Sequence, residues 1–235
     1  MISLIEQQLP NISGDEPTAG RLLAWWNAYR DTNIARFYKT EHDGCIAVLD
    51  AQAIVCAPKE DGEEITTFFE WQQDVRSIYT TIPLDVDGKV KDFTAMLAPT
   101  VGEANEPLSV SLQALYTFLQ LFFEDLPPFE PWYLDTSYRT RHNLCRHTAI
   151  VKDGYIVSTA MTVAEWDGGA LLGGVATSEA HRRRGYAAQC VLSLTFALQK
   201  MGKRVWICPY NQPAEQLYAS LGFENKGTVT VIERK

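Results

Sequence analysis

The stretch Arg182-Arg183-Arg184-Gly185-Tyr186-Ala187 separates a strand-like run, Ala170 to Thr177, from a helical pattern that carries Ala187, Val191, Leu194, Leu198 and Met201 on one face. The first turn of a helix presents unpaired N–H groups and the positive end of the helix dipole, which together make an anion site. Gly185 and Ala187 lack bulk, so a phosphate can approach the main chain, and three arginines add charge to the same rim. A pyrophosphate fits such a place. Taken alone, the string is better read as an ordinary solvated basic loop ahead of a helix, because short motifs recur by chance.

Its surroundings change that weighting. Upstream, His147–Val151, a turn at Asp153-Gly154, a β-rich run from Tyr155 to Ala164 and a turn at Asp167-Gly168-Gly169 form an antiparallel meander ending in Ala170 to Thr177. Downstream, the helix runs from about Tyr186 to Met201 and Gly202 ends it as a left-handed cap. Val205-Trp206-Ile207-Cys208 is a short buried strand, and Pro213 opens a second helix with Ala214, Leu217, Tyr218 and Leu221 on one face, capped by Gly222. Thr228 to Ile232 is a final strand, which gives the order β-β-β-α-β-α-β.

Two segments in this context, Leu172-Gly173-Gly174-Val175-Ala176-Thr177 and Asn211 to Phe223, sit at informative spacings from the arginine loop. Here the sequence resembles the GNAT family of acyl-CoA-dependent N-acetyltransferases, over Asn143 to Lys235, about two fifths of the chain. The family pattern Arg/Gln-x-x-Gly-x-Gly/Ala falls on Arg182, Gly185 and Ala187, and a second pattern, Asn followed by a helix ending Leu-Tyr-x-x-Leu-Gly-Phe, falls on Asn211 and Leu217 to Phe223. The resemblance implies an α/β (α+β) fold: a mixed, mostly antiparallel sheet flanked by helices, with an N-terminal α/β domain before it.

The resemblance also implies a site. The backbone of Arg183, Arg184, Gly185, Tyr186 and Ala187, with Arg182 beside it, would hold the pyrophosphate of coenzyme A. Val175, Ala176 and Thr177 would take the pantetheine arm as though it were an extra strand. The Gly173-Gly174 pair suits a bulge that starts a splay between strands, or simple close packing. Tyr218 resembles the tyrosine that many family members use to protonate the departing thiolate, a role within reach of a phenol of pKa ~10; its other reading is a half-buried core aromatic. Asn211 would fix a pantetheine amide, or else cap the helix at Pro213. The cosubstrate implied is acetyl-CoA, with no metal.

A base for the acceptor amine is harder to find. Glu165, near the end of a meander strand, is one candidate, against the plainer reading of a solvated hairpin acid. His181 has a suitable intrinsic pKa but lies in the arginine loop, where packing explains it. The polar run Asp135 to His142 either lines the acceptor site or is a charged linker.

The first half contains no Arg-x-x-Gly-x-Gly/Ala match, so it is not a second coenzyme A site of this kind. It opens with an amphipathic helix at Leu22, Trp25, Trp26 and Tyr29, continues through extended segments at 35–38 and 45–56, an acidic helix from Glu63 to Trp71 and a strand at Val75–Thr80, and ends in a helix bearing Leu108, Leu112, Leu115, Leu119 and Phe122. Its mixture of strands and helices is similar to the degenerate N-terminal half of tandem family members. The proline-rich Leu126-Pro127-Pro128-Phe129-Glu130 suggests domains at 1–130 and 131–235. Before Pro131 there are 8 basic and 21 acidic residues; after it there are 13 and 8. A positive half suits a polyanionic ligand, and the negative half tilts the acceptor slightly toward a cationic small molecule.

Composition narrows the rest. The chain has 235 residues and is 46% hydrophobic, enough for one large or two small domains with real cores. Five cysteines, odd in number and without a CxxC pair, point to neither a disulfide framework nor a zinc knuckle, and so to a reducing cytoplasm. The opening Met1 to Glu6 has no basic flank or long apolar core, and charges interrupt every later apolar run, so export and membrane insertion are not expected. An acidic pI near 5.0 with one short basic run argues against nucleic acid. The leading reading is an N-acetyltransferase acting by direct attack of a primary amine, on a small molecule or a protein, on acetyl-CoA. The alternative keeps the acyl-CoA pocket as a non-catalytic sensor or structural module. The oligomeric state stays open, a homodimer being one option.

Overall fold

The computed structural model describes residues 1–5 and 8–235; Glu6, where the opening stretch read for a leader ends, lies outside them. In chain order the elements are β1 (Ser3–Leu4), α1 (Pro17–Tyr29), β2 (Ala35–Lys39), β3 (Cys45–Leu49), β4 (Gln52–Cys56), α2 (Gly62–Trp71), β5 (Ser77–Thr80), β6 (Lys89–Leu97), α3 (Leu112–Leu119), α4 (Phe129–Arg141), β7 (His147–Lys152), β8 (Tyr155–Trp166), β9 (Gly169–Thr177), α5 (Tyr186–Gln199), β10 (Arg204–Ile207), α6 (Gln212–Ser220) and β11 (Glu224–Glu233). The fold is mixed α/β, mostly antiparallel, with helices flanking the strands. The chain divides into two compact units, Met1–Ala95 with Lys226–Lys235, and Met96–Asn225.

This division differs from the expected boundary at Pro131. Pro128 is the N-cap of α4 and Pro131 lies in its first turn, where no N–H is needed for an intrahelical bond, so the prolines start a helix instead of marking a linker. The polar run Asp135–His142 is likewise the body of α4 and the residue that ends it, not a linker.

In the first unit, β2, β3 and β4 form an antiparallel meander, and β5 joins β4 in parallel. β11 then pairs antiparallel with β5, from Ser77↔Glu233 to Thr80↔Thr230. α1 begins because Glu16 caps it, its carboxylate accepting from Thr18 N at 2.9 Å and Ala19 N at 2.6 Å. It buries Leu22 and Tyr29, while Trp26 meets Phe37 edge to face at 5.0 Å. α2 puts Ile65 and Phe69 into a core with Ile46, Val55 and Ile78. Arg234 closes this unit by donating to the carbonyls of Phe69, Gln72 and Val75 at the end of α2.

In the second unit, Met96 and Leu97 of β6 pair antiparallel with Ile207 and Trp206 of β10. β10 runs parallel to β9, and β9, β8 and β7 form the expected meander. α5 and α6 bury Val191, Leu194, Leu198 and Tyr218 against Leu172, Val205 and Ile207. Each such aliphatic side chain removed from water contributes on the order of 2 kcal/mol. A separate cluster joins Leu115 and Leu119 of α3 to Trp132 of α4 and Met161 of β8.

α3 is shorter than its leucine spacing suggests. Ser111 caps it by accepting from Ala114 N at 3.2 Å, so Leu108 precedes the helix. The backbone of Leu108 instead bonds to β7, its N–H to Thr148 Oγ1 at 3.0 Å and its carbonyl to Ala149 N at 2.9 Å.

Candidate active site

The parallel ladder between β9 and β10 starts at Gly169↔Arg204 and ends at Leu172↔Ile207. Beyond it Gly173–Thr177 continues as strand, with no ladder partner on that side among the described residues. The departure coincides with a bulge. β8 and β9 pair at Met161↔Gly173 and again at Thr159↔Ala176, so Gly174 and Val175 together oppose Ala160. Gly174 has φ +55°, and a Cβ there would stand 2.7 Å from Met161 Cγ and 3.6 Å from Leu119 Cδ2. Glycine is therefore required on both conformational and steric grounds. Thr159 Oγ1 donates to the Gly174 carbonyl at 2.9 Å, and Ser158 Oγ to the Ala176 carbonyl at 3.0 Å, so two buried hydroxyls of β8 hold the bulged segment. The sequence reading left Gly173-Gly174 as a bulge or as close packing and passed over these hydroxyls; their only signal was two adjacent hydroxyl residues in a largely apolar run.

β9 leads through Ser178 and one 3-10 turn, Glu179–His181, into the arginine loop. Arg183 and Gly185 both have positive φ, +61° and +77°. Gly185 is the N-cap of α5 and supplies no capping side chain, so the helix starts with its first-turn amides unclaimed by a cap. Nothing lies within 4 Å of the position a Gly185 Cβ would take. Arg182, Arg183, Arg184 and Gly185 are exposed, and Tyr186 and Ala187 are half-buried. Arg182 is tethered, its Nε donating to the Thr177 carbonyl at 3.4 Å and its Nη1 to Glu179 at 3.3 Å. His181 is a packing residue, Nδ1 lying 2.9 Å from Ser178 Oγ. A further cation stands here: Lys152 Nζ, from the end of β7, lies 5.8 Å from the centroid of the Tyr186 ring. It is far from the loop in sequence and adjoins only a turn, so no local pattern singles it out.

Tyr218 is 5% exposed and packs in the core with Leu172, Val191 and Phe223, whose ring centroid is 5.9 Å from its own; Val175 packs against the same cluster. Burial pushes its phenol up to about 12. The fold therefore supplies a strongly protonated tyrosine in place of the unperturbed phenol expected from sequence. Asn211 is the N-cap of α6, its Oδ1 accepting from Ala214 N at 3.0 Å, so its carbonyl end is committed to the helix.

Glu165 is neither a solvated hairpin acid nor near the loop. It is 1% exposed, and its Oε2 accepts from Arg146 Nη1 and from Lys203 Nζ at 3.0 Å, while Thr162 Oγ1 donates to Oε1 at 2.8 Å. It pairs across the sheet with Ala170, which at ~3.3 Å per residue lies about 16 Å along β9 from Val175. A base must sit within hydrogen-bond reach of its proton, directly or through one water. Against a thioester lying at Val175, as the resemblance implies, Glu165 does not meet that condition, and the sequence could not show its ion pairs because both cationic partners come from other elements. Among the described residues, no group of three His, Cys, Asp or Glu side chains is placed to hold a metal ion. No described helix is long and apolar enough to cross a membrane.

The arrangement is thus a strand, β9, that runs on past the end of its parallel partner through a bulge, with an uncapped helix start beyond it. Residues 112–223 match the family model described as the acetyltransferase (GNAT) family, and this segment of the chain is a GNAT domain. The match begins with α3, earlier than the Asn143 expected from the motifs. None of the curated proteins matches the chain. Among solved structures, a GCN5-related N-acetyltransferase from Kribbella flavida is 20% identical, covers 93% of this chain and 94% of its own, and superposes with a TM-score of 0.63. A GNAT-family protein from Novosphingobium aromaticivorans is 17% identical, with 93% and 96% coverage and a TM-score of 0.62. A GCN5-related N-acetyltransferase from Sphaerobacter thermophilus is 19% identical, with 91% and 84% coverage and a TM-score of 0.59. At these identities the likeness is one of fold.

Proposed function

We propose that this chain is an N-acetyltransferase that moves an acetyl group from acetyl-CoA to a primary amine by direct attack within a ternary complex. The observation that carries this reading is the unpaired edge Gly173–Thr177 running into the uncapped, open start of α5 at Gly185. Helix-start amides with Arg183 and Arg184 suit a pyrophosphate, and Lys152 adds charge beside them. A free strand edge suits the amides of a pantetheine arm, which bind it as an added strand does. Acetyl-CoA supplies the acetyl group as an activated thioester.

The chain's residues then have separable tasks. Main-chain N–H groups around Val175 polarise the thioester carbonyl. Tyr218 gives its proton to the departing sulfur, its burial keeping the phenol protonated until that step. The nitrogen forms its new bond to the acetyl carbon as the carbon–sulfur bond breaks, and its surplus proton leaves through water. Glu165 takes no part.

The first unit is read as a degenerate copy of the same plan. Helix, three-stranded meander, helix and parallel strand follow one another in both units. In the first, however, the parallel ladder runs from Gln52↔Ser77 to Val55↔Thr80, leaving only Cys56 of β4 beyond it, and α2 opens with Glu63 and Glu64 where α5 follows three arginines. Neither feature suits an anionic cosubstrate. Five free thiols fit a reducing cytoplasm.

Release of free thiol from acetyl-CoA across a panel of amines, with calorimetry of acetyl-CoA binding, tests this proposal. Turnover that falls strongly in Tyr218→Phe is the expected result. Binding without turnover on any amine would favour the sensor, a reading kept in view by the engagement of Glu165 with two cations. No binding at all would defeat both.

A further inference from the structure

The end of α5 far from the arginine loop borders a cleft that the acetyl-transfer reading does not use. The cleft encloses about 340 Å³, with Leu97, Ala98 and Val205 as apolar wall and Thr100, Lys203 and Arg204 as polar and cationic groups. None of the described residues lining it is acidic. α5 has 14 residues, which at ~1.5 Å each sets this cleft about 20 Å from Gly185.

Its walls are fastened. Gln199, the last residue of α5, holds the chain that follows β6: its Nε2 donates to the Pro99 carbonyl at 2.8 Å and its Oε1 accepts from Val101 N at 2.9 Å. Ala98 N donates to the Val205 carbonyl at 2.8 Å, which ties the same chain to β10. Gly202 turns the chain between α5 and β10, and nothing lies within 4 Å of where its Cβ would stand. A ligand entering here does not have to order the walls around it.

Charge at the cleft is not balanced. Glu165 pairs with both Arg146 and Lys203, so this cluster holds two positive charges and one negative. The Lys203 side chain is only 11% exposed, and its ammonium has three N–H donors, one of which goes to Glu165 at 3.0 Å. A cation withdrawn this far from water is stabilised by a partner of opposite sign. Arg204, exposed on the same cleft, adds a further cation.

We propose that this cleft binds a small organic carboxylate, its charged end toward Lys203 and Arg204 and its apolar body against Leu97, Ala98 and Val205. One negative charge answers the surplus of the Arg146, Glu165 and Lys203 cluster. Inorganic phosphate would leave the apolar wall in water, and an ammonium would meet two cations. The volume suits a single ring or a short alkyl chain. The inference stands apart from acetyl transfer, because no residue of the cleft belongs to the arginine loop or to Gly173–Thr177.

Calorimetry on the full chain with benzoate, hexanoate, phosphate and hexylamine tests it. Benzoate and hexanoate should bind saturably with Kd on the order of 1 mM or lower, phosphate at least about tenfold more weakly, and hexylamine not at all. Arg204→Gln, at an exposed position, should weaken benzoate binding about threefold or more, and Lys203→Met about tenfold. Lys203→Met leaves Glu165 paired with Arg146; should that variant fail to fold, Arg204→Gln decides alone. Saturating acetyl-CoA should leave the affinity for benzoate unchanged. No saturable uptake of either carboxylate, equal uptake of phosphate or hexylamine, or an unchanged Kd in Arg204→Gln or in a folded Lys203→Met would overturn the proposal. Displacement of benzoate by acetyl-CoA would do the same, since it would put the carboxylate at the arginine loop.

Discussion

Leu172 and Ile207 are the last residues at which β9 and β10 pair, and the next residues of β9, Gly173 and Gly174, are ones whose side chains could not be larger. A Cβ on Gly173 would meet Val163 Cγ1 at 2.6 Å, and one on Gly174 would meet Met161. The end of the ladder and the two glycines fall together, because β9 bulges against β8 just where β10 stops.

Gly174→Ala should therefore act on stability and on the site together. A non-glycine residue at positive φ costs about 1–2 kcal/mol, and Met161 must move as well. The expected outcome is a lowered Tm together with a raised KM for acetyl-CoA, measured by thermal denaturation and steady-state kinetics. A variant as stable as the parent, with unchanged KM, would contradict the assignment of the bulge.

Lys152→Met tests the phosphate end. The lysine is exposed, so folding stability should change by less than about 0.5 kcal/mol. Its charge faces the helix start from across Tyr186, and affinity for coenzyme A should fall a few-fold, on the scale of about 1 kcal/mol. The difference from the parent should shrink as salt rises, since the screening length at 0.1 M is about 10 Å. Calorimetry at two ionic strengths reads both effects.

Glu165→Gln separates a structural acid from a catalytic one. Arg146 and Lys203 would be left partly buried beside a neutral group, a change that destabilises by about 3 kcal/mol. Urea denaturation should show that loss. The pH profile of kcat/KM should keep its shape, since removing a true base would erase its acidic limb.

Tyr218 makes stability depend on pH at the alkaline end. Its folded pKa of about 12 lies above the ordinary phenol value, so the native state holds this proton more tightly than the unfolded chain does. That contribution is complete below pH ~10 and disappears as pH rises toward about 12. In the comparison of the parent with Tyr218→Phe, the parent should lose stability more steeply over this interval. Parallel curves would show that the hydroxyl is not held in an apolar setting.

Much of the second unit was readable in advance because its signals are local. The glycines at 154, 185, 202 and 222 all have positive φ, and each marks an element boundary where the sequence placed one. The meander, both helices after it and the last strand follow from alternation and from helical spacing between those marks. β6 and α4 were missed for opposite reasons. β6 has the mixed pattern Lys89-Val90-Lys91-Asp92-Phe93 at its start, too polar for a core strand. α4 begins among prolines, which break helices everywhere except in a first turn.

The sequence by itself determined the helix start at Gly185, since one glycine, three arginines and the run of apolar residues after them act within a few residues of one another. Tertiary structure alone decided what the isolated ionisable groups do. Glu165 is set against Arg146 and Lys203, Lys152 is brought to Tyr186, and Tyr218 is sealed under Phe223. A local signal depends on backbone conformation, which near neighbours fix; a pKa or an ion pair depends on the dielectric and the charges around a group, and those come from distant parts of the chain.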